Sequence, residues 1–166
     1  MNYFLWGQYE LGRIDRNMVI YTRFVKLFEE AGIDGDGVAF EDEYQELLGE
    51  GHVLMEGAEE VLEYLYPKYD LYVVTNGVTR TQMRRLTDSN LKGYFKDIFV
   101  SEATGYQKPQ KKYFDYCFDR IPDLNLMKTM IIGDSISSDM EGGNNAGIDT
   151  CWINPENLTK DKKVRI

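Results

Sequence analysis

Apolar residues change their spacing part-way along the chain, and the change divides it. Between residues 15 and 32, Met18, Val19, Tyr21, Phe24, Val25, Leu27 and Phe28 recur at helical intervals. Asp15 is placed to cap that helix and Gly32 to stop it. Phe40, Tyr44, Leu47 and Leu48 line one face of a second helix over residues 40–48, which Gly49-Glu50-Gly51 closes. No strand-like alternation precedes this point.

From Gly57 the pattern differs. Ala58, Val61, Leu62 and Leu65 predict a helix that ends by Pro67. Beyond it come predicted strands over 71–74, 97–100, 130–132 and 149–153, with helices over 79–88, 111–120 and 137–146 between them. Strands separated by helices of about ten residues predict parallel βαβ units. The unbroken apolar runs Val73-Val74 and Met130-Ile131-Ile132 predict strands covered on both faces. The expected fold class is therefore α/β. It comprises a helical lobe over residues 1–52, a Rossmann-like parallel sheet core over 53–157, and a charged, solvated tail over 158–166 that contains Lys160-Asp161-Lys162-Lys163.

Composition narrows the function more than the fold. The 166 residues are 43% hydrophobic and 28% charged, which suits one compact soluble domain or a core with a small accessory lobe. Acidic residues outnumber basic ones by 28 to 19, for a net charge of −9. That balance argues against a nucleic acid polymer as partner, because neutralising its phosphates needs clustered Lys and Arg. A small phosphorylated ligand needs only a local cradle of donors and a cation. No apolar run approaches the roughly 20 residues that span a bilayer, and Met1-Asn2-Tyr3-Phe4-Leu5-Trp6 has no basic leader. No membrane partner and a cytoplasmic location are expected; oligomeric state is not readable. Cys117 and Cys151 lie in apolar contexts and predict buried, reduced thiols.

Three segments place polar residues where open parallel sheets bind ligands, just beyond the carboxyl ends of strands. Thr75-Asn76-Gly77 follows Val73-Val74; a hydroxyl with free backbone N–H groups there suits a phosphate, although the same residues also make an ordinary turn. Lys108 precedes Pro109, which biases it toward extended backbone and can open the next helix. Its ammonium suits a phosphoryl oxygen or plain solvation. Gly133-Asp134-Ser135 follows Ile131-Ile132, and Asp139 comes five residues after Asp134. Two carboxylates so close favour a cation, and an all-oxygen set suits Mg²⁺, which takes one or two carboxylates plus phosphate and water. Otherwise Asp139 caps the helix and Asp134 makes a turn.

Val74-Thr75-Asn76-Gly77, Lys108-Pro109 and Gly133-Asp134-Ser135 with Asp139 resemble, in order and spacing, the second, third and fourth motifs of haloacid dehalogenase (HAD) superfamily hydrolases. Phe99-Val100-Ser101-Glu102 and Gly147-Ile148-Asp149-Thr150-Cys151-Trp152 are similar to the bacterial pyrimidine 5′-nucleotidases of that superfamily. The resemblance makes residues 1–52 part of a helical cap. It implies that Thr75 binds the transferring phosphoryl group with the Asn76 and Gly77 backbone, and that Lys108 steadies the nucleophile and the phosphoryl charge. The same resemblance implies that Asp134 ligates Mg²⁺ and that Asp139 ligates it too, or orients Lys108 and the metal's waters. A Mg²⁺-dependent phosphomonoesterase acting on nucleoside monophosphates or other small phosphorylated metabolites is the implied activity. The alternative is a non-catalytic phosphate-binding or scaffold protein.

That alternative arises because the family nucleophile, the first Asp of D-x-D-x-T on the central strand, is not found here. Asp34-Gly35-Asp36-Gly37 follows a helix stop rather than a buried strand. Without the central strand, the strands ending at Thr75 and Asp134 are expected either to leave a gap or to pair directly. His52 is the sole histidine and reads as structural, and no G-x-S-x-G, G-x-x-x-x-G-K-[ST] or G-x-G-x-x-G occurs. Trp6, Tyr9 and Phe40 are the aromatic candidates for stacking on a base, or else core.

Overall fold

The computed structural model describes residues 2–155 together with 157 and 159. The chain divides into two compact units between Ala103 and Thr104, and each unit carries one two-stranded parallel sheet. The tail run 160–163 lies outside the described residues. Among the described residues, no helix is long and apolar enough to cross a membrane.

The first unit opens with α1 (Asn2–Glu10), α2 (Arg16–Ala31) and α3 (Gly37–Glu50). Asp15 caps α2 by accepting the Met18 N–H at 2.8 Å, and Gly32 ends it in the left-handed conformation at φ 65°. Asp36 caps α3, accepting from Val38 and Ala39 N–H at 2.9 and 3.0 Å. The Asp34–Gly37 run is thus a helix start. Leu5, Tyr9 and Val19 form a buried cluster with Trp6 and Ile14 against it, so Trp6 and Tyr9 are core residues.

The aromatic stripe of α3 is not its most buried face. Phe40, Tyr44 and Leu47 keep 43%, 37% and 59% exposure, whereas Glu41 keeps none. The cause is a polar network. Arg23 of α2 meets Glu41 through two bonds of 2.5 and 2.7 Å, and Gln45 donates to the same carboxylate at 2.8 Å. The guanidinium also lies against the rings of Phe24 and Tyr44, 5.0 and 4.8 Å from their centroids.

Next come α4 (Ala58–Leu65), β1 (Tyr72–Thr75), α5 (Thr79–Asp88), β2 (Asp97–Val100) and the four-residue α6 (Ser101–Thr104). β1 and β2 pair in parallel with Thr75 level with Val100. Thr81 of α5 donates to the Gln45 side chain at 2.9 Å, which carries the buried network from α2 through α3 into α5. Ion pairs of Arg80 with Glu46, and of Arg84 with Glu46 and Glu50, run alongside. This is why the helices of the first 52 residues fall in one compact unit with β1 and β2.

The second unit contains α7 (Lys111–Phe118), β3 (Met130–Gly133), a π-helical turn at Ile136–Met140, α8 (Glu141–Ala146) and β4 (Asp149–Trp152). β3 and β4 are parallel, with Gly133 level with Trp152. Two glycines let α8 come close to its neighbours. A Cβ on Gly143 would stand 2.6 Å from the side chains of Ile131 and Thr150, and one on Gly142 would stand 2.6 Å from the Phe114 ring.

Several sequence expectations are corrected here. β3 is covered on one face only: Ile131 is buried, while Met130 and Ile132 are 55% and 51% exposed. A two-stranded sheet packed by α8 buries alternate residues, and only a second layer would hide the rest. The same alternation turns Thr150 toward Gly143 and leaves Cys151 exposed, so Cys117 alone is a buried thiol. Of the two outcomes expected for β1 and β3, a gap or direct pairing, direct pairing does not occur, since they belong to separate sheets. Pro109 does not open α7, whose N-cap is Gln110.

Removing one partner of a buried ion pair strands the other charge, at a cost of about 3–5 kcal/mol. Arg23→Met is expected to lower the unfolding free energy by that amount in urea denaturation. A loss below about 1 kcal/mol would show that Glu41 is not held by Arg23.

Candidate active site

Lys108 lies on the segment between α6 and α7, and it is buried with 7% exposure. A lysine so placed needs an anion. It has Asp139, 5% exposed, whose Oδ1 takes the ammonium at 2.6 Å. Oδ2 of the same carboxylate accepts the Ser135 backbone N–H at 3.1 Å. Both Asp139 oxygens are thus engaged by donors, one of them charged.

Local backbone makes this possible. Ser135 caps the turn by accepting the Ser138 N–H at 3.2 Å, and its carbonyl accepts from the N–H groups of both Asp139 and Met140 at 2.9 and 3.1 Å. The wider π turn folds Asp139 back over the end of β3, the kind of local irregularity that recurs at functional sites. The residue it folds over has to be glycine: a Cβ on Gly133 would stand 2.3 Å from Asp139 Oδ2. Asp139 is therefore a residue folded onto the strand end, and the helix cap is Ser135.

Asp134 occupies the tip of β3 and is exposed. Its carbonyl accepts the Trp152 indole N–H at 3.0 Å, which fixes the strand end to β4. Asn145 of α8 donates to the Pro109 carbonyl at 3.2 Å and ties the Lys108–Pro109 segment to the same helix. Trp152 and Asn145 act on the site only through tertiary register, and the local sequence of neither marks it. Among the described residues, no three His, Cys, Asp or Glu side chains gather as a metal cage. One exposed carboxylate at a strand tip, with a second held behind it, is the donor set that Mg²⁺ uses when phosphate and water complete its shell.

In the first unit, Thr75, Asn76 and Gly77 follow the carboxyl end of β1 and are half-buried. Thr79 opens α5, and its N–H donates to Glu102 Oε2 at 2.6 Å. Glu102 Oε1 meets Arg16 at 2.6 Å. Burial works against ionisation of Glu102, but the Thr79 hydrogen bonds and the Arg16 guanidinium outweigh it and hold the carboxyl below its ordinary value. Glu102 belongs to the Phe99–Glu102 run that carries the resemblance but receives no role from it, and Arg16 does not stand out in sequence; the signal is an acid two residues after a strand. An open cavity of about 550 Å³ adjoins this group, with Arg16, Gln45, Arg80, Thr81, Arg84 and Glu102 in its lining. His52 is exposed, and its Nδ1 lies 2.6 Å from the Glu50 carbonyl.

Lys108, Asp134 and Asp139, three residues that the sequence resemblance singles out, thus lie on segments tied together within the second unit. The family model for haloacid dehalogenase-like hydrolases matches residues 14–153. The chain belongs to that family. Its relatives include the HAD-hydrolase YfnB of Bacillus subtilis, 50% identical over 94% of this chain and 66% of YfnB. The pyrimidine 5′-nucleotidase PynA of Streptococcus pneumoniae is 40% identical over 95% of this chain and 67% of PynA. The orthorhombic crystal structure of YfnB, described as bound to magnesium, superposes with a TM-score of 0.92 at 48% identity, over 99% of this chain and 72% of that one. The chain spans about two thirds of the length of these curated relatives.

Residues in one ion pair show non-additive effects on stability of about 0.5–3 kcal/mol. A double-mutant cycle of Lys108→Met and Asp139→Asn, read by urea denaturation, is expected to give a coupling in that range. Strict additivity would separate the two side chains in solution.

Proposed function

We propose that the protein carrying this chain is a Mg²⁺-dependent phosphomonoesterase that acts on nucleoside monophosphates or other small phosphorylated metabolites. The observation that carries this reading is the buried Lys108–Asp139 pair behind the exposed Asp134 at the carboxyl end of β3. Asp134 is the carboxylate open to a cation. Asp139 has both oxygens occupied, which favours the orienting role over direct ligation. Lys108, paired with Asp139, is the ammonium available to a phosphoryl oxygen. In the first unit, Thr75 and the Asn76 and Gly77 backbone are hydroxyl and N–H donors of the kind that bind a phosphoryl group. Bound at Asp134, Mg²⁺ supplies charge withdrawal from the phosphoryl oxygens. Similarity to PynA supports a nucleotide substrate.

A second reading is a phosphate-binding protein without turnover. The two readings part in one assay, made on the protein as its gene encodes it. With Mg²⁺, p-nitrophenyl phosphate and pyrimidine nucleoside monophosphates are expected to be hydrolysed, and chelation by EDTA is expected to stop the reaction. Losing the metal's charge stabilisation is worth several kcal/mol, so Asp134→Asn is expected to cut turnover by about a hundredfold or more. Undiminished turnover in that variant removes Asp134 from the metal site. Phosphate binding without any turnover selects the second reading.

A further inference from the structure

The N-terminus of α5 has an unusual cap. Its own N-cap residue is Val78, which has no side-chain oxygen to offer. The oxygen comes from elsewhere in the chain: Glu102 Oε2 accepts the Thr79 N–H at 2.6 Å, from 23 residues away. The register explains how it reaches. Val100 of β2 lies level with Thr75 of β1, so the residues that leave β2 run beside those that leave β1. Glu102, two residues past Val100, stands next to the turn 76–79. A carboxylate at a helix N-terminus is also favoured by the helix dipole.

The second oxygen of Glu102 is committed in another direction, to Arg16 at 2.6 Å. Arg16 is the first residue of α2, directly after its cap Asp15. One carboxylate therefore joins the turn after β1 to the helical lobe. With its side chain 31% exposed, the pair lies at the surface, where ion pairs add little stability. Its effect is on position more than on folding. The carboxyl, held below its ordinary value, stays ionised through neutral pH.

We infer that Glu102 is a positioning residue for the phosphate cradle, fixing the turn Asn76–Thr79 through the α5 amide and tying it to α2 through Arg16. This rests on the proposed role of Thr75–Gly77 in binding a phosphoryl group and adds a residue to that site. Donors that must point at one anion lose affinity when their turn drifts by a fraction of an ångström, so the effect falls on phosphate binding before it falls on stability.

The test uses the protein as its gene encodes it, with inorganic phosphate as probe and Mg²⁺ present. Phosphate affinity is measured by calorimetry and as competitive inhibition of p-nitrophenyl phosphate hydrolysis, with melting temperature alongside. Glu102→Ala is expected to weaken phosphate about tenfold and to raise KM more than it lowers kcat. Glu102→Gln keeps an acceptor for the Thr79 N–H and is expected to restore most of that affinity. Asp36→Ala removes an exposed helix cap of α3 and is expected to lower the melting temperature with phosphate affinity unchanged. Wild-type affinity in Glu102→Ala, or an equal loss in Asp36→Ala, overturns the inference while the phosphatase reading stands. A wild-type protein that neither turns over phosphomonoesters nor binds phosphate overturns both.

Discussion

A lysine and an aspartate that have both left most of their water are costly to leave unpaired, and here that requirement joins Lys108 to Asp139 across 31 positions of sequence. Much of the second unit's local structure serves the pair. The π turn brings Asp139 back over β3, Gly133 leaves the space its Oδ2 occupies, and the Ser135 N–H satisfies that oxygen. Trp152 and Asn145 anchor the two segments that carry the charges. Asp134, one residue beyond the strand, is left as the carboxylate that solvent and a cation can reach. The division of labour between two acids five residues apart follows from burial: the one folded inward is saturated by protein donors, and the one at the tip is not.

Where element ends are marked by local chemistry, the sequence was readable. The helix Thr79–Asp88 and the strand Asp97–Val100 occur with the expected bounds, and Asp15 and Gly32 cap α2 as their positions imply. Each of these signals acts within a few residues of itself. Two of the three motifs are placed for the same reason, Thr75-Asn76-Gly77 at the end of β1 and Gly133-Asp134 at the end of β3, whereas Lys108 comes only after β2 and α6.

Burial is set by partners distant in sequence, and there the reading failed. Nothing near Glu41 announces that it is the most enclosed residue of α3; that depends on Arg23 arriving from α2 with a matching fork of donors. Ile132 and Cys151 look like core in an apolar run, yet a sheet of two strands with a helix on one side has room for only half of each strand. The π turn escaped notice because its cause is the space over Gly133, which a pattern of apolar spacing does not encode. Glu102 escaped because its partners are a backbone amide and an arginine 86 positions earlier.

The ties that converge on α5 differ in strength, and the difference assigns their roles. The Arg80 and Arg84 pairs with Glu46 and Glu50 lie at the surface, where water and salt screen them, and contribute little to stability. The chain Arg23–Glu41–Gln45–Thr81 is buried except at the half-buried Gln45, and each acceptor in it already has its donor, so it fixes how α2 and α3 seat on α5. The Glu102 bonds act at the same end of α5 as this network, on the backbone amide of Thr79 where the network holds the side chain of Thr81. A shift of α2 that preserved the Arg16–Glu102 bond would have to carry the carboxylate with it and pull on the Thr79 amide. Glu102 therefore connects the helical lobe to the turn after β1 with one oxygen for each, and a displacement of the start of α2 is felt at that turn.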